Sequence, residues 1–155
     1  MKINHLILIL FTCPLLTKAQ NLTGTWVGHS DNSFVKLVVI HKGDSLLGYT
    51  FDKKPGYCQA TFLGIYNRST KFLSGTNVAM LRNSGEHKLS TYDLNYFKEG
   101  GREKLIGKIK SKENNSPVLA LGASRIYLRK EKSDVDTIAY MQPFIDKTGL
   151  PYKPK

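Results

Sequence analysis

The sequence contains little cysteine, tryptophan or acid. Its 155 residues include two cysteines and one tryptophan, and 12 Asp and Glu stand against 23 Lys and Arg, which gives a formal net charge of +11. Two cysteines allow at most one disulfide, which excludes a disulfide-stabilised scaffold. The chain is basic, but 41% hydrophobic and 10% aromatic residues are too many for a disordered polycation. The composition therefore indicates a single globular domain.

Long hydrophobic runs are also missing. The continuous apolar run at residues 6–11 is far shorter than the roughly 20 residues that cross a bilayer, and Pro14 interrupts the apolar pattern after it. Lys2 precedes the run, and the small residue Ala19 stands where a signal peptidase would cut. Residues 1–19 are therefore predicted to be a secretory signal cleaved near Ala19, rather than a membrane anchor, and the protein is expected to be secreted or periplasmic.

Cleavage of the signal changes the composition that matters. It removes two lysines, no acidic residue and Cys13, and leaves 136 residues with a net charge of +9. Cys58 is then the sole cysteine, so the core must hold by packing alone, which a domain of this size can do. The alternative of a lipid on Cys13 is disfavoured because Thr12 is a poor residue before a lipidated cysteine.

Residues 24–130 alternate short apolar segments with turn residues and show no helical period. Strands are expected at residues 24–30, 34–40, 45–52, 57–66, 71–81, 87–97, 104–110 and 123–130. Short turns make successive strands antiparallel neighbours, and closure removes both exposed edges. The sequence predicts an all-β fold, an eight-stranded antiparallel up-and-down β-barrel over residues 20–130. An open two-sheet sandwich is the alternative, disfavoured because no long crossover is seen.

Residues 131–155 are predicted to form a short C-terminal helix and a basic tail. Ser133 and Asp136 have the spacing of a helix N-cap and its acidic third residue, and Pro143 ends the pattern. The apolar residues at helical spacing are Val135, Ile138 and Met141. We expect this apolar stripe to pack on the barrel wall.

Two tripeptides at the ends of the predicted barrel resemble a known family. Gly24-Thr25-Trp26 resembles the Gly-x-Trp that begins the first strand in calycins, which comprise lipocalins, fatty-acid-binding proteins and avidins. Arg125-Ile126-Tyr127 resembles the Arg-x-Tyr with which fatty-acid-binding proteins hold a ligand carboxylate. In lipocalins, an arginine near the last strand instead packs across the first-strand tryptophan. The resemblance implies a small secreted barrel with a ligand in its interior.

The chain also departs from each subfamily. The short segment between Trp26 and Phe34 leaves no room for the two-helix lid of fatty-acid-binding proteins, and the long first loop of lipocalins is missing. Avidins surround biotin with several tryptophans, whereas this chain has one. What remains is a short-looped, calycin-like barrel.

An eight-stranded barrel is wide enough either to be filled by side chains or to hold one small ligand. If the alternating apolar set faces inward, the interior receives Tyr49, Phe51, Phe62, Tyr66, Phe72, Tyr92, Leu94 and Tyr96. Four of these are tyrosines, whose hydroxyls need partners when buried. They favour a hydrated or ligand-bearing cavity, although tyrosines also occur at barrel rims. The candidate ligand contacts are Trp26, Tyr49, Tyr92, Tyr96, Arg125 and Tyr127.

The last predicted strand has two faces of different chemistry. Arg125, Tyr127 and Arg129 share one face, and Ile126 and Leu128 share the other. Either the apolar pair faces inward and the cations face water, or Arg125 and Tyr127 turn inward to bind a carboxylate or to cover the tryptophan. The pattern leaves both arrangements open.

Catalytic and metal-binding motifs are scarce. His29, His41 and His87 stand apart in sequence, and Cys58 has no recognisable partner motif. Neither a phosphate-binding glycine loop before a helix nor a Gly-x-Ser-x-Gly elbow is present. The sequence therefore predicts no enzymatic activity, no metal and no cofactor.

The basic residues concentrate in segments 53–54, 102–112, 125–132 and 147–155. Since no nucleic-acid-binding motif accompanies them and the chain is predicted to be exported, anionic surface glycans or lipids are the expected partners rather than nucleic acid. Two functions remain. One is a binding protein that holds a small, partly apolar ligand, such as one with a carboxylate, inside the barrel. The alternative is a cell-surface interaction or structural protein with a filled barrel and a basic exterior that contacts anionic glycans or lipids.

Overall fold

The computed structural model describes residues 20–31, 33–53, 56–84, 87–111, 123–135 and 141. Within these ranges the chain forms eight strands: β1 (Gly24–Ser30), β2 (Ser33–Lys42), β3 (Ser45–Lys53), β4 (Cys58–Asn67), β5 (Phe72–Asn83), β6 (Ser90–Glu99), β7 (Arg102–Ser111) and β8 (Ser124–Lys132). Each strand pairs antiparallel with the next, and β8 pairs with β1 to close the barrel. The predicted up-and-down barrel is confirmed, and every strand end lies within three residues of its predicted position.

Large side chains fill the barrel interior. The fully buried residues of this inner cluster include Trp26, Leu37, Phe62, Tyr66, Leu94, Leu105, Ile126 and Leu128. Glycines make room for them: a Cβ added at Gly75 would come within 2.2 Å of the Phe62 ring. The ring of Phe62 therefore occupies the space that a side chain at position 75 would otherwise take.

The register of β3 corrects one sequence-based expectation. Leu37 lies opposite Thr50, and Val39 lies opposite Gly48, so the inward residues of β3 are Leu46, Gly48 and Thr50. The prediction that Tyr49, Phe51 and Phe72 enter the interior is therefore wrong. Tyr49 lies opposite Val38 on the outer wall, Phe51 lies opposite Lys36, and Phe72 lies between Asn67 and Asn95.

The C-terminal segment covers part of the outer wall. Val135 and Met141 form a second buried cluster with Val38, Ile40 and Tyr49. Alongside them, the Thr25 hydroxyl donates a hydrogen bond of 3.2 Å to the carbonyl of Asp134. The predicted packing of the C-terminal apolar residues on the barrel is thus seen for the two that are described.

Two predictions fall mainly on residues outside the described ranges. The predicted signal occupies residues 1–19, and most of the predicted C-terminal helix occupies residues 136–143. The described residues contain no α-helix. Accordingly, no helix long and apolar enough to cross a membrane occurs among them.

The N-terminal residues 20–23 close one end of the barrel. Leu22 is fully buried, its N–H donates to His41 Nδ1 at 3.1 Å, and its carbonyl accepts a 3.0 Å hydrogen bond from Trp26 Nε1. The Tyr66 hydroxyl donates to Gln20 Oε1. These bonds attach the segment to β1, β2 and β4.

Candidate functional site

The structure does not bring the six predicted ligand contacts together. Trp26, Tyr92 and Tyr96 are buried in the inner cluster. Tyr49 is buried on the outer wall beneath the C-terminal segment. Arg125 and Tyr127 are exposed on the outer face of β8, while Ile126 and Leu128 point inward. Of the two arrangements considered for this strand, the one with its cations in water is observed.

The inner tyrosines find hydrogen-bond partners within the protein. The Tyr92 hydroxyl donates to Asn77 Oδ1 at 3.3 Å, and the Asn77 amide donates to Thr50 Oγ1 at 2.8 Å and to the Thr61 carbonyl at 3.1 Å. The Ser90 N–H donates to the same Asn77 oxygen at 3.3 Å. Burial raises the pKa of Tyr92, so its hydroxyl stays protonated and serves as a donor. This polar network is satisfied without a ligand.

A second pair of inner tyrosines lies at the closed end. Burial raises the pKa of Tyr66 to about 12, and its hydroxyl bonds to Gln20. Burial also raises the pKa of Tyr96, whose side chain hydrogen-bonds to Gln20 and Glu103. Buried tyrosine hydroxyls need partners, but here the protein supplies them, so the tyrosines no longer argue for a bound ligand.

The residue that covers the buried tryptophan is a lysine, and not Arg125, which one of the two arrangements placed there. Lys130 Nζ lies 5.4 Å from the centroid of the Trp26 ring and 2.9 Å from Glu103 Oε2. It also donates to the Asn21 carbonyl at 3.2 Å. The alternation that turns Ile126 and Leu128 inward continues to Lys130, and this continuation is the signal by which the sequence could have identified it.

The opposite end of the interior carries the carboxylate of Asp52, the imidazole of His87 and the sulfur atoms of Cys58 and Met80. Asp52 Oδ1 lies 3.9 Å from His87 Nδ1, and Cys58 Sγ lies 3.2 Å from Met80 Sδ. Burial raises the pKa of the Cys58 thiol to about 11, which makes it a poor nucleophile at neutral pH. Burial also raises the pKa of Asp52, against the opposing effect of His87. Among the described residues, no three His, Cys, Asp or Glu side chains come close enough to hold a metal ion.

Cations lie opposite one another on the outer face of β7 and β8. The register places Lys104 opposite Arg129 and Lys108 opposite Arg125. We call these four residues the basic face. Like charges directly opposite each other across a strand pair are destabilising, so this arrangement needs a physical explanation.

Few carboxylates neutralise the basic face. Lys104 Nζ forms an exposed ion pair of 3.0 Å with Glu99. Within the described ranges, no carboxylate lies within 4.0 Å of the charged groups of Lys108, Arg125 or Arg129. Asp93, which lies opposite Lys108 in register, approaches Lys110 instead, at 3.9 Å.

A groove adjoins the basic face. It has a volume of about 680 Å³ and lies at the end of the barrel wall where β7 begins and β8 ends, with residues of both faces of these strands in its lining. Its cationic lining consists of Arg102, Lys104, Arg129, Lys130 and Lys132, and Glu103, Glu131 and Tyr127 also line it. The basic face and this groove form a continuous anion-attracting surface, which is the candidate functional site.

Comparison with known proteins does not assign this chain to a family. No protein-family model, curated protein or solved structure matches this chain. The closed antiparallel barrel is consistent with a calycin-like fold, and the architecture alone supports that resemblance.

Proposed function

We propose that this protein is a secreted or periplasmic, non-enzymatic binding protein whose filled barrel presents its basic face to an anionic glycan or lipid. The observation that carries the proposal is the presence of two pairs of opposed cations, Lys104 with Arg129 and Lys108 with Arg125. An anionic group between two such cations would replace their repulsion with attraction to both. Arginine is suited to the role because its planar guanidinium matches phosphate, sulfate and carboxylate groups.

The packing of the interior supports an exterior site over an interior one. Trp26, Tyr92 and Tyr96 contact other core residues, and their polar atoms bond to Leu22, Asn77 and Gln20. A small ligand inside the barrel stays a prediction, and the inner tyrosines do not require one, because their hydroxyls already have partners in the protein. Native mass spectrometry of protein purified from its host compartment tests it, since a stoichiometric bound mass would support an interior ligand.

Retention on immobilised heparin, a sulfated glycan, tests the exterior site. We expect the wild type to be retained at low salt and released as salt rises, because surface attraction is screened. The variant Lys108→Gln/Arg125→Gln removes one opposed pair and should elute at clearly lower salt.

The matched control removes two exposed cations elsewhere. Arg68 lies in the turn between β4 and β5, and Arg82 lies near the far end of β5, so both are outside the basic face and its groove. Arg68→Gln/Arg82→Gln has the same net charge as the test variant but should elute close to the wild type. Equal losses in both variants would show that net charge alone sets the retention. A wild type that is retained neither on heparin nor by anionic lipid vesicles at low salt would overturn the proposal.

A further inference from the structure

A row of exposed apolar and aromatic residues crosses four strands of the outer wall. Phe34 on β2 lies opposite His29 on β1, which lies opposite Tyr127 on β8, which lies opposite Ile106 on β7. We call these four residues the aromatic row. The exposed fractions of Phe34, Tyr127 and Ile106 are 37%, 43% and 36%, and the rings of His29 and Phe34 meet edge to face at 6.3 Å.

The aromatic row passes between the two cation pairs of the basic face. On β7 and β8 the pair Ile106 and Tyr127 lies two residues from Lys104 and Arg129 on one side and two residues from Lys108 and Arg125 on the other. At about 6.6 Å for every two residues of strand, cations therefore border the row closely on both sides. A further exposed aromatic residue, Phe97, lies opposite Lys104.

Ile65, the exposed apolar side chain with the largest exposed fraction in the described barrel, lacks this setting. Ile65 on β4 is 66% exposed, but its register neighbours are Ser45 and Ser74. Exposure alone therefore does not distinguish the aromatic row. Its distinguishing feature is the combination of apolar side chains with cations on two sides.

The combination of apolar side chains and cations fits an anionic bilayer better than a sulfated glycan. A sulfated glycan would neutralise the cations but leave Phe34 and Ile106 in water. The interface of an anionic bilayer offers both environments, because phosphate groups lie beside the upper acyl chains. Tyrosine suits that boundary, since its ring is apolar and its hydroxyl remains hydrated.

We propose, resting on the anion-binding function above, that the partner is the surface of an anionic phospholipid bilayer. The aromatic row enters the headgroup region, and the basic face contacts lipid phosphates on both sides of it. The barrel lies on the membrane by this side wall and remains a peripheral protein.

Co-sedimentation with lipid vesicles tests the proposal. The two compositions are phosphatidylcholine alone and phosphatidylcholine with phosphatidylglycerol, each at low and moderate salt. The wild type should bind the vesicles that contain phosphatidylglycerol and should not bind those of phosphatidylcholine alone. The variant Ile106→Ser/Tyr127→Ser should lose about tenfold in affinity for anionic vesicles because it removes apolar contact area, while its retention on heparin stays unchanged.

Two further variants make the result specific. Tyr57→Ser/Ile65→Ser removes the same side-chain types from outside the row, where Tyr57 is 43% exposed like Tyr127, and should bind vesicles as the wild type does. Tyr127→Trp places an indole in the row, and brominated lipids should quench it. Trp26, the natural tryptophan, is fully buried in the barrel and should keep its emission. Circular dichroism confirms that each variant is folded.

The outcomes separate the two proposals. A wild type that binds heparin but not anionic vesicles would overturn the bilayer and leave a glycan as the partner. Vesicle binding that Ile106→Ser/Tyr127→Ser leaves intact, or an unquenched indole in Tyr127→Trp, would overturn entry of the row into the membrane. A wild type that binds neither probe would overturn both proposals.

Discussion

The outer wall of the barrel carries two apolar patches in opposite surroundings. On β2 and β3, Val38, Ile40 and Tyr49 are buried beneath Val135 and Met141 of the C-terminal segment. On β7 and β8, Ile106 and Tyr127 are exposed between cations, and no described residue covers them. Apolar side chains of the outer wall are thus buried by the chain itself in one patch and exposed in the other, where we propose that a partner covers them.

Truncating an isoleucine in each patch should give the largest difference in the free energy of unfolding. Ile40 is 4% exposed, so Ile40→Ala should lower the free energy of unfolding by about 2–4 kcal/mol, as for other buried isoleucines. Ile106→Ala should lower it by less than about 1 kcal/mol because the side chain already meets water. Urea unfolding of both variants measures this, and equal losses would mean that the two patches are packed alike.

The adjacent residues Arg129 and Lys130 of β8 allow a second comparison, between an exposed cation and a mostly buried one. Lys130→Gln removes a mostly buried cation from Glu103 and Trp26 and should cost about 1–3 kcal/mol, because the Glu103 carboxylate loses its partner. Arg129→Gln removes an exposed cation opposite Lys104 and should leave stability unchanged or slightly higher. Thermal unfolding distinguishes them, and a loss in Arg129→Gln as large as that in Lys130→Gln would contradict this assignment of inside and outside.

Reversing one charge on the basic face should stabilise the protein. In Arg129→Glu the side chain opposite Lys104 becomes an anion, while its neighbour on β1 is the uncharged Val27, so the change should raise the free energy of unfolding by about 0.2–1 kcal/mol. The gain should shrink with added salt, and heparin retention should fall at the same time. A variant that is less stable than the wild type at low salt would show that the opposed cations do not repel each other appreciably.

The smallest expected effect concerns pH and compares a covered histidine with an uncovered one. Burial lowers the pKa of His41, with Arg68 adding to the effect, and its Nδ1 must stay unprotonated to accept from Leu22. A lowered pKa in the folded state means that the stabilisation is present above about pH 6.5 and is lost as the pH falls through the folded value.

Midpoints of thermal unfolding between pH 7.5 and pH 5 check this sign. His41→Gln should weaken the acid-induced decrease seen in the wild type. His29→Gln, which changes an exposed histidine of the aromatic row, should leave the decrease in place. The same dependence in all three proteins would exclude His41 as its cause.

The sequence predicts the strands well because turn chemistry and alternation are local properties. Gly43 and Gly100 adopt left-handed conformations, with φ of 62° and 55°, in turns that the sequence placed correctly. The orientation of β3 was not predictable from alternation alone, because Leu46 on one face and Leu47, Tyr49 and Phe51 on the other are all apolar. The larger apolar face points outward because Val135 and Met141, some ninety residues away in the chain, cover part of it.

The candidate site was predictable in its parts but not in its arrangement. The basic segments are visible in the sequence, and the alternation of β8 offered the outward placement of Arg125 and Tyr127 as one of two choices. The opposition of Lys108 to Arg125, and of Ile106 to Tyr127, depends on the register between β7 and β8. Register follows from the closed geometry of the whole sheet and cannot be obtained from either strand alone.

The pairing of β1 with β8 has a consequence for how the chain folds. The hydrogen bond from Thr25 to Asp134 and that from Lys130 to Asn21 each join residues 109 positions apart. Closing so long a loop costs chain entropy before any closing contact forms, and folds dominated by such pairings fold in milliseconds to seconds rather than microseconds. Since a chain is made from its N-terminus, β1 cannot gain its second neighbour until β8 has been synthesised. Barrel closure must therefore wait until β8 has been made, so the β1–β8 pairing is the last of the barrel that can form.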